Sequence, residues 1–282
     1  MNSNSKHRTA PPRAVRRKPK KKKLNPMFVI LVLAFFALIF TLLFVYFSVG
    51  YRYITCDNGT KFLGIVKNDV PASGTVYYTD GTKSELKLAE NTIIYENGDK
   101  YVGEIKNLMR HGKGVMTFKE GNVYDGDFFN DQITGVGVFT YKNGDKYEGE
   151  FLNGERHGNG TYTWSDEMGT SSYTGGFKNN MKDGEGTYIW SDGATYTGSF
   201  VNNVKNGKGV YHFANGDKYE GDFVDDRRTG AGTYTWANGD RYDGSFSENK
   251  LSGKGTYTWA SGRKYEGYFS NNAIEVTEEP AD

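Results

Sequence analysis

Residues 146–164 read KYEGEFLNGERHGNGTYTW, and this stretch decides the fold. Its first part alternates Tyr147, Gly149 and Phe151 with Lys and Glu. Its second part alternates two glycines, Tyr162 and Trp164 with polar residues. Because successive side chains of a β-strand point to opposite faces, this alternation predicts two short strands, each with one buried face.

The same pattern recurs along the chain. The leading tyrosines are separated by 23, 23, 26, 23, 23, 23 and 23 residues, and the single longer spacing marks a three-residue insertion near residues 167–172. A glycine follows each of these tyrosines by two positions. We interpret the set as structural repeat glycines, each lying opposite an aromatic ring of the neighbouring strand, so that the ring covers bare backbone. The set is Gly103, Gly126, Gly149, Gly175, Gly198, Gly221, Gly244 and Gly267.

Turn residues separate the predicted strands. Asn97-Gly98, Asn143-Gly144, Asn215-Gly216 and Asn238-Gly239 predict tight turns that join the two strands of a repeat. A helix is disfavoured because glycine falls every few residues and β-branched and aromatic residues dominate. The 37 glycines come with only 6 prolines and no three-residue period, which excludes collagen, and the 15% aromatic content argues against a disordered chain.

The pattern Tyr-x-Gly-x-Phe followed by Gly-x-Gly-x-aromatic-x-aromatic resembles the MORN repeat (membrane occupation and recognition nexus). GDKYEGEFLN at 144–153 and HGNGTYTW at 157–164 carry the resemblance, which covers about 95–272. It implies an all-β fold: an elongated single-layer antiparallel meander of β-hairpin repeats. It also implies a role in scaffolding and membrane association, often beside an enzymatic domain. We find no such domain in 51–282.

The repeats set the domain boundaries that we expect. The array takes 98–272, and 51–97 holds juxtamembrane degenerate repeats that cap its N-terminal end, since repeat arrays need capping units. An acidic tail, 273–282, follows. Before the repeats lie a basic, disordered tail at 1–26 and an apolar segment at 27–50.

The apolar segment predicts a membrane anchor. Phe28 to Val49 is a run of 22 residues without a charge, which suffices to span the hydrocarbon core of a bilayer as one helix. A cleaved signal peptide is the alternative, but its apolar region is usually ~7–15 residues long and ends at a small-residue cleavage site. An uncleaved, single-pass signal anchor is the favoured interpretation.

Flanking charge predicts the orientation. Residues 1–26 hold ten Lys and Arg and no acid, whereas Arg52 alone lies close behind the apolar run. The positive-inside rule therefore places the N-terminus in the cytoplasm and the repeats outside it. The cluster could instead be a nuclear signal or a nucleic-acid patch, but beside a membrane span a topology determinant is favoured, and we expect no nucleic-acid partner. The cluster is Arg16, Arg17, Lys18, Lys20, Lys21, Lys22 and Lys23.

The sequence contains no catalytic or metal-binding constellation. The nucleotide-binding, zinc-protease, Cys-x-x-Cys and nucleophile-elbow motifs are all absent, so we expect no enzyme, cofactor or catalytic residue. His111 and His157 lie two repeats apart, too far for one metal ion. Columns of Asp and Glu are interpreted as a solvated face rather than as a calcium site. Cys56, the single cysteine, is a candidate for an intermolecular disulfide.

The aromatic residues supply a candidate binding face. A single-layer sheet leaves part of its ring surface open to a partner. The candidate residues are Tyr147, Tyr162, Trp164, Tyr188, Trp190, Tyr196, Tyr219, Tyr234, Trp236, Tyr242, Tyr257 and Trp259. We expect a non-catalytic scaffold for a protein partner or for self-association. The alternative is a module for lipid headgroups or wall polysaccharide, although 34 acids against 25 bases in 51–282 disfavour anionic lipids.

Overall fold

A computed structural model describes residues 25–275. The basic tail predicted at 1–26 lies almost entirely outside these residues, and so does the acidic tail beyond residue 275. The chain divides into two compact units, one up to Gly50 and one from Tyr51 onward. The first contains a helix and the second contains a sheet.

The first unit contains helix α1 (Pro26–Ser48). Asn25 caps it, since its side-chain oxygen accepts a hydrogen bond from the Met27 amide at 3.0 Å, and proline at the first position has the φ that a helix requires. The helix carries no charged residue in 23 positions. At ~1.5 Å per residue it is long enough to cross a bilayer, and it is a candidate membrane span by length and composition.

The second unit is one antiparallel sheet of 21 strands among the described residues, and this confirms the predicted fold class. Every strand pairs with the next strand in sequence. A short 3-10 helix, Leu88–Glu90, lies between β4 and β5. The strands are β1 (Tyr51–Thr55), β2 (Lys61–Lys67), β3 (Val70–Tyr77), β4 (Lys83–Lys87), β5 (Thr92–Tyr95), β6 (Lys100–Lys106), β7 (Met109–Thr117), β8 (Val123–Phe129), β9 (Gln132–Thr140), β10 (Lys146–Leu152), β11 (Glu155–Asp166), β12 (Gly169–Lys178), β13 (Met181–Ile189), β14 (Thr195–Val201), β15 (Val204–His212), β16 (Lys218–Val224), β17 (Arg227–Thr235), β18 (Arg241–Ser247), β19 (Lys250–Thr258), β20 (Lys264–Ser270) and β21 (Ala273–Ile274).

The turns inside each repeat differ from those that the sequence predicted. Asn143-Gly144 connects β9 to β10, so the Asn-Gly pairs join one repeat to the next and do not join the two strands of a repeat. That inner turn is formed by two residues with positive φ, such as Asn179 (48°) and Asn180 (68°). Positive φ at both central residues is the hairpin geometry that matches strand twist, and asparagine tolerates it.

Side chains and backbone of successive inner turns are hydrogen-bonded together. Asn180 Oδ1 accepts from the Arg156 amide at 2.9 Å, and the Asn180 amide donates to the Arg156 carbonyl at 3.0 Å. Asn249 and Arg228 make the same pair of bonds. Because each bond joins one hairpin to the next, the turns stabilise the array along one edge.

Glycine faces glycine at the centre of each of the seven repeat hairpins from β6–β7 to β18–β19. Gly149 lies opposite Gly160, and Tyr147 lies opposite Tyr162. We expected each ring to lie opposite a glycine on the neighbouring strand, and that detail is wrong. The ring of Tyr147 instead reaches along its own strand and covers both glycines, so a Cβ on Gly160 would lie 2.4 Å from the Tyr147 hydroxyl. The ring therefore packs on bare backbone, and a residue with a side chain would displace it.

The insertion near residues 167–172 lengthens one hairpin without breaking the sheet. β11 has 12 residues and β12 has 10, whereas the equivalent strands β13 and β14 have 9 and 7. Trp164 pairs with Ser171 and Asp166 with Gly169 in this extension. The repeat phase therefore continues unchanged after it.

Candidate functional site

A column of fully buried tyrosine rings forms the core of the repeats. Tyr147 has no exposed surface, and it lies between Phe151 of its own repeat and Phe177 of the next, with ring centroids 5.0 Å apart in both cases and edge-to-face geometry. The Tyr147 hydroxyl donates to the Glu150 carbonyl at 2.9 Å. Burial raises the pKa of Tyr147 to about 12. Six further tyrosines have equivalent positions: Tyr101, Tyr124, Tyr173, Tyr196, Tyr219 and Tyr242.

A second row of rings, here named the aromatic ladder, runs beside the buried column. Each ring contacts the next, and the distances between centroids lie between 4.1 and 5.9 Å. All members are half-buried, so each leaves part of its ring surface open. The ladder comprises Phe118, Phe139, Tyr141, Tyr162, Trp164, Tyr188, Trp190, Tyr211, Phe213, Tyr234, Trp236, Tyr257 and Trp259.

Turn carboxylates accept hydrogen bonds from three tyrosine rings of the ladder, those of Tyr162, Tyr234 and Tyr257. The Tyr234 hydroxyl donates to Asp217 Oδ2 at 2.6 Å, and the Ala237 amide donates to Asp217 Oδ1 at 2.9 Å. Asp240 makes the same two bonds with Tyr257 and Ala260. Burial and the neighbouring Asp217 carboxylate raise the pKa of Tyr234 to about 12, and the hydrogen bond from Tyr257 lowers the pKa of Asp240. Both groups therefore keep these bonds at neutral pH.

A row of basic side chains, here named the basic row, lies over the rings. Arg156 Cζ is 5.7 Å from the Tyr147 centroid and 5.0 Å from that of Tyr162, so one guanidinium bridges the buried column and the ladder. Attraction of a cation to a ring face stabilises such contacts. The row comprises Arg110, Arg156, Lys182, Lys205 and Arg228.

Eight of the twelve predicted binding residues belong to the ladder, namely Tyr162, Trp164, Tyr188, Trp190, Tyr234, Trp236, Tyr257 and Trp259. The other four are wrong as surface residues, because Tyr147, Tyr196, Tyr219 and Tyr242 are fully buried in the column. Phenylalanine rings pack against all four, and a member of the basic row also covers Tyr147, Tyr196 and Tyr219.

Sequence reasoning missed the basic row, although a signal for it exists. Arg110, Arg156, Lys182, Lys205 and Arg228 each follow a leading tyrosine by nine positions. The same phase holds Ile133 and Leu251 in two repeats. Aligning the repeats at this polar position, and not only at glycines and rings, would have shown the row.

Other predicted features lie away from the ladder. Cys56 is half-buried and unpaired in the structure, and it lines an apolar cleft of about 530 Å³ with Ile54, Leu86 and Leu108. Within residues 25–275, no group of His, Cys, Asp and Glu is placed to hold a metal ion. Several acids of the predicted solvated face accept backbone hydrogen bonds: Glu150 Oε1 accepts from the Asn159 amide at 2.8 Å.

Solved structures that match the chain do so with low identity and low TM-scores. The TCP domain of SAS-4 (dCPAP) of Drosophila melanogaster, in complex with a proline-rich motif of Ana2 (dSTIL), is 14% identical over 72% of this chain and 94% of that chain, with a TM-score of 0.28. The TCP10 domain of Danio rerio CPAP is 13% identical over 82% and 100%, with a TM-score of 0.32. At these scores the likeness says nothing about what this chain binds. No curated protein matches the chain.

A family comparison agrees with the repeat geometry. Seven consecutive segments match the MORN repeat, and together they cover more than half of the chain. The segments are 101–123, 124–146, 147–168, 173–195, 196–218, 219–241 and 242–262. Each begins at one of the seven buried tyrosines. The chain belongs to the MORN repeat family.

Proposed function

We propose that this protein is a non-catalytic scaffold that binds an extended segment of another protein along the aromatic ladder. The observation that carries the proposal is the continuity of the ladder, whose rings touch from Phe118 to Trp259. Exposed apolar surface in a repeated, ordered form is typical of a protein-binding site, and aromatic residues and arginine are enriched at such sites.

The dimensions of the ladder fit an extended chain. Its rings accompany strands β7 to β19, and at ~4.8 Å per strand these twelve spacings cover ~58 Å. An extended segment rising ~3.3 Å per residue would need ~17 residues to follow it. Glycans also stack on rings, and anionic lipids would meet the basic row, so both remain alternatives for the test.

We further propose that α1 holds the scaffold at a membrane, with the repeats on the extracytoplasmic side. The ten bases before the apolar run, against Arg52 alone close behind it, support this orientation. Residues 51–97 would then connect the anchor to the array and cap it, and Cys56 would be available to join two copies by a disulfide.

Peptide selection tests the binding function. The full chain, in nanodiscs of zwitterionic lipid, is offered a displayed library of random peptides of ~17 residues, the length derived above. Selected peptides are then measured against Trp190→Ser. The matched control is Ile189→Ser, which alters the adjacent, 44% exposed residue on the opposite face.

We expect Trp190→Ser to weaken binding about tenfold or more, as truncation of a central aromatic anchor does, and Ile189→Ser to leave it within about twofold. Equal loss in both variants, or no enriched peptide, would reject the proposal. Ladder-dependent binding of a glycan or of anionic liposomes in place of peptide would favour the alternative.

A further inference from the structure

One position of the repeat carries a cation in five of the seven complete repeats, and two of its arginines, Arg156 and Arg228, have equivalent contacts. Arg156 Nη2 donates to the Asn180 carbonyl at 2.8 Å, and its guanidinium lies over Tyr162 (5.0 Å) and Phe177 (5.5 Å). Three groups thus surround the guanidinium: a turn carbonyl, a ladder ring and the phenylalanine of the next repeat.

Arg228 repeats this arrangement two hairpins before the end of the sheet. Its Nη2 donates to the Asn249 carbonyl at 2.8 Å, and its Cζ lies 5.1 Å from the Tyr234 centroid and 6.0 Å from that of Phe246. Arg110 also donates to the Asp131 carbonyl and lies over Phe128, but its other ring contact is Tyr95 and not a ladder ring. The chain therefore contains three guanidinium sites that its own side chains fill.

The last repeat has the site without the cation. Leu251 occupies the position, since it follows Tyr242 by nine residues. The three groups that would surround a guanidinium there, namely Tyr257, Phe269 and the turn residue Asn272, all line an open cleft of about 590 Å³. The leucine side chain is shorter than that of arginine and carries no hydrogen-bond donor. It therefore leaves the outer part of this guanidinium site open to a side chain of another molecule. Ile133 has the same position in the interior of the array, but its ladder ring, Phe139, has no hydroxyl.

The Asp240 carboxylate behind Tyr257 and the net charge of the second unit favour a cationic guest. The Tyr257 hydroxyl is bonded to the Asp240 carboxylate at 2.7 Å, so a negative group lies directly behind the ring. Arg228 also lines the cleft, but its guanidinium is already bonded to the Asn249 carbonyl at 2.8 Å. Residues 51–282 carry 34 acids against 25 bases. A positive side chain entering the cleft is therefore attracted by the unit as a whole.

We propose that the cleft beside Leu251 receives an arginine side chain of the bound partner, whose guanidinium donates to the Asn272 carbonyl and lies over the rings of Tyr257 and Phe269. The inference rests on the proposed function, because the cleft is the end of the ladder along which the partner lies. Arginine is favoured over lysine because its planar, multi-donor head can stack on a ring and donate to a carbonyl at once.

Fluorine NMR on the full chain in nanodiscs tests the site. The protein contains four tryptophans, so 5-fluorotryptophan labelling gives four resonances that Trp→Phe substitutions assign. The probe is a blocked Gly-Gly-Arg-Gly-Gly peptide, and the matched probe replaces arginine with citrulline, which has the same shape but no charge.

We expect the arginine probe to move the Trp259 resonance in a saturable way while the Trp164 and Trp190 resonances stay fixed, because the chain's own cations fill the sites beside those rings. The citrulline probe should bind at least about tenfold more weakly, since the cation–π attraction is lost. Leu251→Arg should abolish the response by filling the cleft, whereas Leu251→Met, which conserves volume, should retain it.

A second variant keeps the test decisive even if Leu251→Arg misfolds. Arg156→Leu removes a resident cation and should create a new guest site, so the Trp164 resonance should begin to respond to the arginine probe. An equal response to citrulline, a response that survives Leu251→Arg, or no gain at Trp164 would each overturn the proposal. Library peptides that need Trp190 but are indifferent to Leu251→Arg would keep the proposed function and reject this site.

Discussion

Replacing Gly221 by alanine tests how the buried tyrosine rings pack on bare backbone. A Cβ atom at residue 221 would lie 2.4 Å from the Tyr219 hydroxyl oxygen and 2.7 Å from both the Ala231 carbonyl oxygen and Gly232 Cα. Non-bonded heavy atoms have their optimum at roughly 3.5–4.0 Å. Either the ring or the facing strand must therefore move.

The cost follows from these contacts. Overpacking a well-packed site costs ~1–3 kcal/mol. The Tyr219 hydroxyl donates to the Asp222 carbonyl at 3.0 Å, and losing that bond adds about 1 kcal/mol. We expect Gly221→Ala to lower the free energy of unfolding by roughly 2–4 kcal/mol, which in a unit of this size lowers Tm by roughly 5–12 °C. Gly221→Val should cost more, because its two added methyl groups need further room.

A double-mutant cycle separates the ring from the backbone. Tyr219→Phe removes the atom closest to the new Cβ, so the double variant should be less destabilised than the sum of the single variants by about 1 kcal/mol. At Gly149 the closest atom is backbone, Gly160 Cα at 2.5 Å, so Tyr147→Phe should rescue Gly149→Ala less. Thermal unfolding followed by circular dichroism measures all six variants. An unchanged Tm in Gly221→Ala, or equal rescue at both sites, would refute the reasoning.

Three further predictions concern the turns, the buried hydroxyls and the membrane topology. Asn249 has a φ of 70° and its Oδ1 accepts from the Arg228 amide at 2.9 Å, so Asn249→Ala should lower the free energy of unfolding by roughly 1–2 kcal/mol. Asn249→Gly, whose backbone tolerates this φ, should lower it less in the same melting assay. Equal losses in the two variants would contradict this account. Burial raises the pKa of Tyr147, Tyr173 and Tyr219 to about 12, against about 10 in an unfolded chain. Because these tyrosines ionise at lower pH in the unfolded chain than in the folded one, the stability that they contribute is complete below pH ~10 and is lost as the pH rises toward 12. Tyrosinate absorbance and circular dichroism should therefore change together. Full ionisation of the tyrosines with the sheet intact would contradict this prediction. Protease added to intact cells should digest the repeats if they are extracytoplasmic, whereas protection that ends on lysis would place them in the cytoplasm.

Most of the fold follows from the sequence because the repeat encodes it at short range. Alternation around Tyr147 and Tyr162 defines two strands, and the 23-residue period forces every hairpin to pair with the next. The inner turns were missed because pairs such as Asn179-Asn180 lack the glycine that marks a turn most clearly. Their positive φ values come from hairpin twist, which alternation alone does not reveal.

The division of the aromatic residues into core and surface needed the structure. Tyr147 and Tyr162 lie directly opposite each other on the same face, so side-chain alternation treats them alike. The register shifts between Gly149 and Phe151, and the Phe151 ring then packs edge-on against Tyr147. This register shift leaves one tyrosine of each pair buried and the other in the ladder. The shift cannot be predicted from the alternation of side chains in the sequence.

The rigidity of the ladder has a consequence for binding. Asp217 joins the Tyr234 hydroxyl to the Ala237 amide of the following turn, so the rings are held in place before a partner arrives. When the surface is ordered before binding, less side-chain entropy is lost when the complex forms. Asp217→Ala should therefore weaken ladder-binding peptides roughly three- to tenfold, about 0.5–1.5 kcal/mol per side chain left to be ordered, although Tyr234 and Trp236 remain. Glu220→Ala, on the opposite exposed face, is the matched control. Calorimetry should show the loss in Asp217→Ala as a less favourable entropy, and an unchanged affinity would mean that ring contacts alone hold the ladder.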